Sequence, residues 1–149
     1  MATINLQRTI NAPIEDVFDW LSTPTNWTVV PLIQRVRLAR PGADGHFGLG
    51  AIREITTGIG WFREAITAHE RPDRYDYLIL KSVPPLRHDG GSIVLREVAD
   101  GTEVTWTSTF TAATPFAGEQ IGRLLVPIGT FGFSLILKAA ERALTSATT

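Results

Sequence analysis

Arg53 and Glu64 flank the turn-like run Thr57-Gly58-Ile59-Gly60, and their spacing is the feature of this sequence best suited to chemistry. With that run as a hairpin loop, Thr56 faces Trp61, Ile55 faces Phe62, Glu54 faces Arg63 and Arg53 faces Glu64. Neighbouring positions on a strand point to opposite sides, so Arg53–Glu64 shares a face with Ile55, Phe62 and Ile66, and Glu54–Arg63 shares one with Thr56 and Thr67. The first face is the apolar one, and therefore the inner one. A guanidinium and a carboxylate there could receive a carbonyl, a carboxylate or a phenol on an otherwise apolar ligand, or simply brace two strands. Tyr75 and Tyr77 share a parity with Ile79, and Tyr77 is the favoured inward hydroxyl. In an enzyme, Arg53 would be the electrophilic donor and Glu64 or Tyr77 the acid/base.

The last hairpin turns near Ala99 to Thr102, which puts Val104, Trp106, Ser108 and Phe110 on the face of Ile93 and Leu95. Trp106 then serves as pocket wall, core aromatic, or both. Ile128, Phe131 and Leu135 of the C-terminal segment complete the expected lining. Arg8, among Ile4, Leu6 and Ile10, either reaches the pocket or extends to water.

Other chemistries find little support. His46, His69 and His88 lie in or beside turn segments, read as solvated positions, and none has the spacing of a helical metal site, so no metal is expected. The glycines of GHFGLG precede a strand, not the helix that a nucleotide loop requires, and no cofactor is expected. No G-x-S-x-G elbow is present.

The elements that must position these residues follow from periodicity. Residues 3–10 alternate as a strand. Pro13, Glu15 and Asp16 open a short helix with Val17, Phe18 and Leu21 as its apolar stripe, and a further helical turn precedes Pro31. Six strands are predicted near 33–40, 48–56, 61–69, 74–83, 91–98 and 103–112, separated by turn clusters that include PPLRHDGG. Short connections make them an antiparallel meander. After Pro115 the text becomes one long helix, kinked at Pro127. Its uncharged stretch Leu124–Leu137 is short for a membrane span and interrupted by Pro127, Gly129 and Gly132, so stable insertion is not expected. Such a helix should be gripped by the sheet and covered on most sides, a homodimer being one source of cover.

Composition narrows the class. The 149 residues are 44% hydrophobic and 19% charged, enough for the core of one domain. A net charge of −1 with mixed signs argues against nucleic acid as a partner. The chain has no cysteine, so neither disulfides nor thiolate chemistry arise. The N-terminal residues do not read as a secretory signal, and a cytoplasmic location is the expectation.

IxAPxexVFxxL at Ile10–Leu21, the Gly48-x-Gly50-x-x-Arg53 run, Glu64 followed by ERPDRYDY, and DGTEVTWTSTF at Asp100–Phe110 together resemble the START and Bet v 1-like (SRPBCC) superfamily. The branch they resemble is the polyketide cyclase/dehydrase and lipid-transport family. That resemblance implies an α+β helix-grip fold: a curved seven-stranded antiparallel sheet, two short helices, and a long C-terminal helix enclosing a cavity. It implies a small apolar molecule as partner, carried or bound. A cofactor-independent cyclase, aromatase or dehydratase is one alternative, and a dimeric interaction module with a filled core is another.

Overall fold

The computed structural model describes residues 1–145. Its strands are β1 (Ala2–Ile10), β2 (Ile33–Arg40), β3 (Ile52–Thr57), β4 (Gly60–Glu70), β5 (Arg74–Val83), β6 (Leu86–Val98) and β7 (Gly101–Ala112). The helices are α1 (Ile14–Ser22), a 3-10 segment at Pro24–Val29, and α2 (Gly118–Thr145). One antiparallel sheet has the order β1-β7-β6-β5-β4-β3-β2, with α2 lying on it. This is the helix-grip fold.

Each element follows from local chemistry. Extended Pro13 precedes α1, Glu15 and Asp16 complement the positive end of its dipole, and Val17, Phe18 and Leu21 are fully buried. Burial of each contributes up to about 1.5–3 kcal/mol. Pro24 then forces the chain into the 3-10 turn that buries Trp27. On β7 burial alternates along the whole strand, so that Val104, Trp106, Ser108 and Phe110 all point inward.

Two predicted boundaries are corrected. β3 begins at Ile52, not 48, because Asp44 accepts hydrogen bonds from the His46 and Gly48 amides and holds that glycine-rich stretch as a loop. β6 begins at Leu86, not 91. The HDGG run read as a turn lies inside β6, which bulges at Asp89 between His88 and Gly90, with Gly90 at φ +126°, and the turn itself is confined to Pro84-Pro85. α2 runs unbroken through Pro127 for 28 residues. By length and composition it is thus long and apolar enough to cross a membrane, which removes the argument from shortness.

α2 packs through small residues. A Cβ at Gly129 would lie 2.5 Å from Ile4 Cδ1, so glycine there lets the helix approach β1. Toward the C-terminus Ile136, Leu137, Ala139 and Ala140 are buried, and Arg8 on β1 donates to Glu141 at 2.8 Å. The N-terminal half is less covered than expected: Leu124 is 71% and Phe131 62% exposed.

Candidate functional site

Two adjoining chambers lie between the sheet and α2, an outer one of about 130 Å³ and an inner one of about 100 Å³. They share Ile59, Phe62, Glu64, Tyr77, Gly129 and Phe133, so Glu64 and Tyr77 stand at the waist between them. Leu86, Ser108, Phe110 and Leu125 belong to the outer chamber, and Trp27, Arg53, Ile55 and Trp106 to the inner.

The β3–β4 register pairs Arg53 with Glu64, Glu54 with Arg63, Ile55 with Phe62 and Thr56 with Trp61. Arg53 Nε donates to Glu64 Oε1 at 2.8 Å, and both residues are buried. The guanidinium carbon lies 5.0, 5.6 and 5.4 Å from the ring centroids of Trp27, Tyr75 and Tyr77, an aromatic cage that suits a cation. Burial alone would pull the Arg53 pKa down. The opposing charge of Glu64, together with Tyr75 and the hydrogen bonds of both, more than offsets that, and Arg53 is held above its ordinary value.

Tyr77 Oη accepts a hydrogen bond from Trp106 Nε1 at 2.9 Å, and its ring stacks on His88. Burial, with the charge of Glu64 adding to it, pushes the Tyr77 phenol well above its usual range, so it stays protonated. Tyr75 behaves differently: its hydroxyl donates to the Leu21 carbonyl at 3.0 Å, and burial raises its pKa to about 12. Tyr75 thus ties the sheet to α1 and lines neither chamber.

His88 is the residue that sequence reasoning misplaced. The β5–β6 ladder runs only from Arg74–Val94 to Tyr77–Gly91, and beyond it the His88 imidazole fills the seam. Nδ1 accepts the Ile79 amide at 2.9 Å, and Nε2 lies 2.8 Å from Ser108 Oγ. Because Nδ1 is an acceptor, a neutral ring carries its proton on Nε2 and donates it to Ser108. Burial lowers the His88 pKa to about 4, which keeps the ring neutral. His88 therefore cannot take the Ser108 proton and create a nucleophile. Instead it leaves the serine hydroxyl hydrogen free to be directed elsewhere.

The other expected site residues divide. Arg53, Ile55, Phe62, Glu64, Tyr77, Trp106, Ser108, Phe110 and Ile128 line one or both chambers. Ile66 and Leu95 do not; they belong to the core cluster that contains Val17, Phe18 and Leu21 of α1. Leu135 borders a separate surface crevice with Val30 and Lys138, and Phe131 faces outward. The error on α2 is one of helical phase, since a stretch apolar on every side does not reveal which residues turn inward. Arg8 is engaged with Glu141 and lines neither chamber. Trp27, Ile59, Leu86 and Phe133 line the chambers and were missed; only the placement of Gly129 and Gly132 on α2 hinted at the face that carries Phe133. No group of three His, Cys, Asp or Glu side chains able to hold a metal occurs among the described residues.

Three solved structures resemble this chain in fold. Protein TTHA0849 from Thermus thermophilus superposes with TM-score 0.78 at 17% identity, covering 99% of this chain and 100% of that one. A START superfamily protein from Mycobacterium smegmatis gives TM-score 0.74 at 12% identity, covering 97% and 98%. Ara h 8.0201 gives 0.69 at 19% identity, again covering 97% and 98%. No curated protein matches by sequence. The family described as polyketide cyclase/dehydrase and lipid transport matches residues 1–133, and with that span of the sequence, the sheet and most of α2 in it, the chain belongs to this family.

Proposed function

We propose that this protein binds a small, mainly apolar molecule in the paired chambers, with Glu64, Tyr77 and Ser108 setting its orientation. The observation that carries this reading is the convergence of those three polar side chains on an otherwise apolar cavity between sheet and helix. The size of the cavity supports a compact ligand, because a chamber of about 150 Å³ is what admits a benzene ring. A long lipid would require α2 to move away from β1.

Binding is favoured over catalysis by the state of Tyr77 at the waist and of His88 stacked on it. Tyr77 is pushed up and His88 down, so neither exchanges a proton near neutral pH, where an acid/base residue is most effective. Native mass spectrometry of freshly purified protein and quenching of tryptophan fluorescence by naphthalene test the reading. A retained mass or saturable quenching is expected; absence of both would sink it.

Exposed Leu124 and Phe131 favour a second, compatible reading, self-association along α2. Sedimentation across a concentration series would show a reversible dimer, and a persistent monomer would remove it.

A further inference from the structure

A surface crevice of about 380 Å³ lies where Val29, Val30 and Pro31 meet the C-terminal part of α2 at Leu135 and Ala139, and it shares no lining residue with either chamber. Its apolar wall is uncovered, Val29 being 67% exposed. Lys138 and Arg142 stand on the helical side of the crevice, four residues apart and so neighbours on one face. Both are exposed, and neither enters an ion pair among the described residues. Glu141, the acid between them in sequence, is taken up by Arg8 of β1. The helix end accounts for only part of this. Arg142 lies in the last turn, where a cation complements the negative end of the dipole, but that attraction fades within one turn and Lys138 is about two turns from the end.

We propose that this crevice is a second binding site, for a single-chain amphiphilic anion such as a medium-chain carboxylate. Two unpartnered cations beside an exposed apolar wall are complementary to a molecule with an anionic head and a hydrocarbon tail. Lys138 and Arg142 receive the head, and the planar fork of Arg142 suits a carboxylate. The segment that carries Val29 to Pro31 reaches α2 toward the Leu135 end, since a Cβ at Gly132 would lie 3.7 Å from Leu32 Cδ2. The apolar wall is therefore at one end and the charge at the other, which orients the tail toward Leu135. Leu135 to Arg142 spans about 10 Å along the helix, a length that fits a short chain. At the surface each charge contact is weak singly, so head and tail must act together.

The test titrates full-length, isotopically labelled protein with octanoate, octan-1-ol and acetate, which supply head and tail, tail alone and head alone. Each is kept below any micelle concentration, and wild type is compared with Lys138→Gln/Arg142→Gln. Octanoate should shift the Val29, Val30 and Leu135 methyl resonances saturably, and acetate should not saturate. The wild-type preference for octanoate over octan-1-ol should fall about fivefold in the double variant, the worth of two exposed charge contacts, and the ratio cancels the difference in hydrophobicity. Both replaced side chains are exposed, so the variant keeps its fold. Crevice methyls that ignore octanoate, or an unchanged preference in the variant, overturn the site. So does binding to phosphatidylglycerol vesicles that the double variant loses while free octanoate leaves the crevice unmoved, because the cations then face a membrane surface. Occupancy of the chambers is read separately at the Ile55 and Ile59 methyls, so the two sites succeed or fail independently.

Discussion

Arg53 and Glu64 meet across β3 and β4, Nε to Oε1 at 2.8 Å, with almost no surface open to solvent. Two charges taken out of water together are tolerated because each is the other's partner, and removing one leaves the other stranded. Glu64→Leu and Arg53→Met should each destabilise the protein by about 3–5 kcal/mol, and the double replacement Arg53→Met/Glu64→Leu should recover most of that loss. Urea denaturation of the three variants checks this. Additive losses in the double variant would show that the pair is not coupled.

Gly91 is set directly against Tyr77: a Cβ there would lie 2.2 Å from the phenol ring. Gly91→Ala must therefore displace the ring from its stack on His88 and from the Trp106 indole, at a cost of about 1–3 kcal/mol. Thermal melting and the Trp106 indole resonance report it. A variant with the wild-type melting point and an unmoved indole would mean that β6 yields at the bulge without cost.

His88 supplies a pH signature whose sign is fixed. Its folded pKa is about 4 and its ordinary value 6.5, so below about 6.5 the unfolded chain binds a proton that the folded chain refuses. Its contribution is present above that range and is lost as the pH falls toward about 4. His88→Asn keeps an acceptor for the Ile79 amide but cannot titrate, and should flatten the fall in stability between these values. Equal slopes in variant and wild type would contradict a neutral, buried His88.

Phe133 stacks on Trp106 at a centroid distance of 4.0 Å and borders both chambers. Phe133→Ala should merge them, cost on the order of 2 kcal/mol in stability, and allow a larger apolar probe to bind. Comparing the affinities for naphthalene and pyrene in wild type and variant measures the change. Unaltered discrimination would place the size limit elsewhere.

The parts of the site that could be read from sequence are those fixed by local pairing. TGIG between two alternating runs determines which residue faces which, and Arg53 and Glu64 meet accordingly. The inward face of β7 was legible for the same reason. What could not be read depends on contacts across layers. The HDGG run looks like a turn, yet here it bulges a strand so that His88 fills a seam left by the diverging β5–β6 ladder. Trp27 sits in a short segment with no periodicity, and its bearing on Arg53 exists only once the 3-10 turn packs on the sheet. The uncharged stretch of α2 hides its own phase, which is why Phe131 was expected inside and Phe133 was not.

The central claim is that the space between sheet and α2 holds a ligand, and a naphthalene titration followed by indole and methyl resonances tests it most directly. Saturable shifts are predicted for the Trp27 and Trp106 indoles and the methyl groups of Ile55, Ile59 and Ile128, which line the chambers. Spectra that do not change, or changes confined to the exposed Leu124 and Phe131 face of α2, would contradict it.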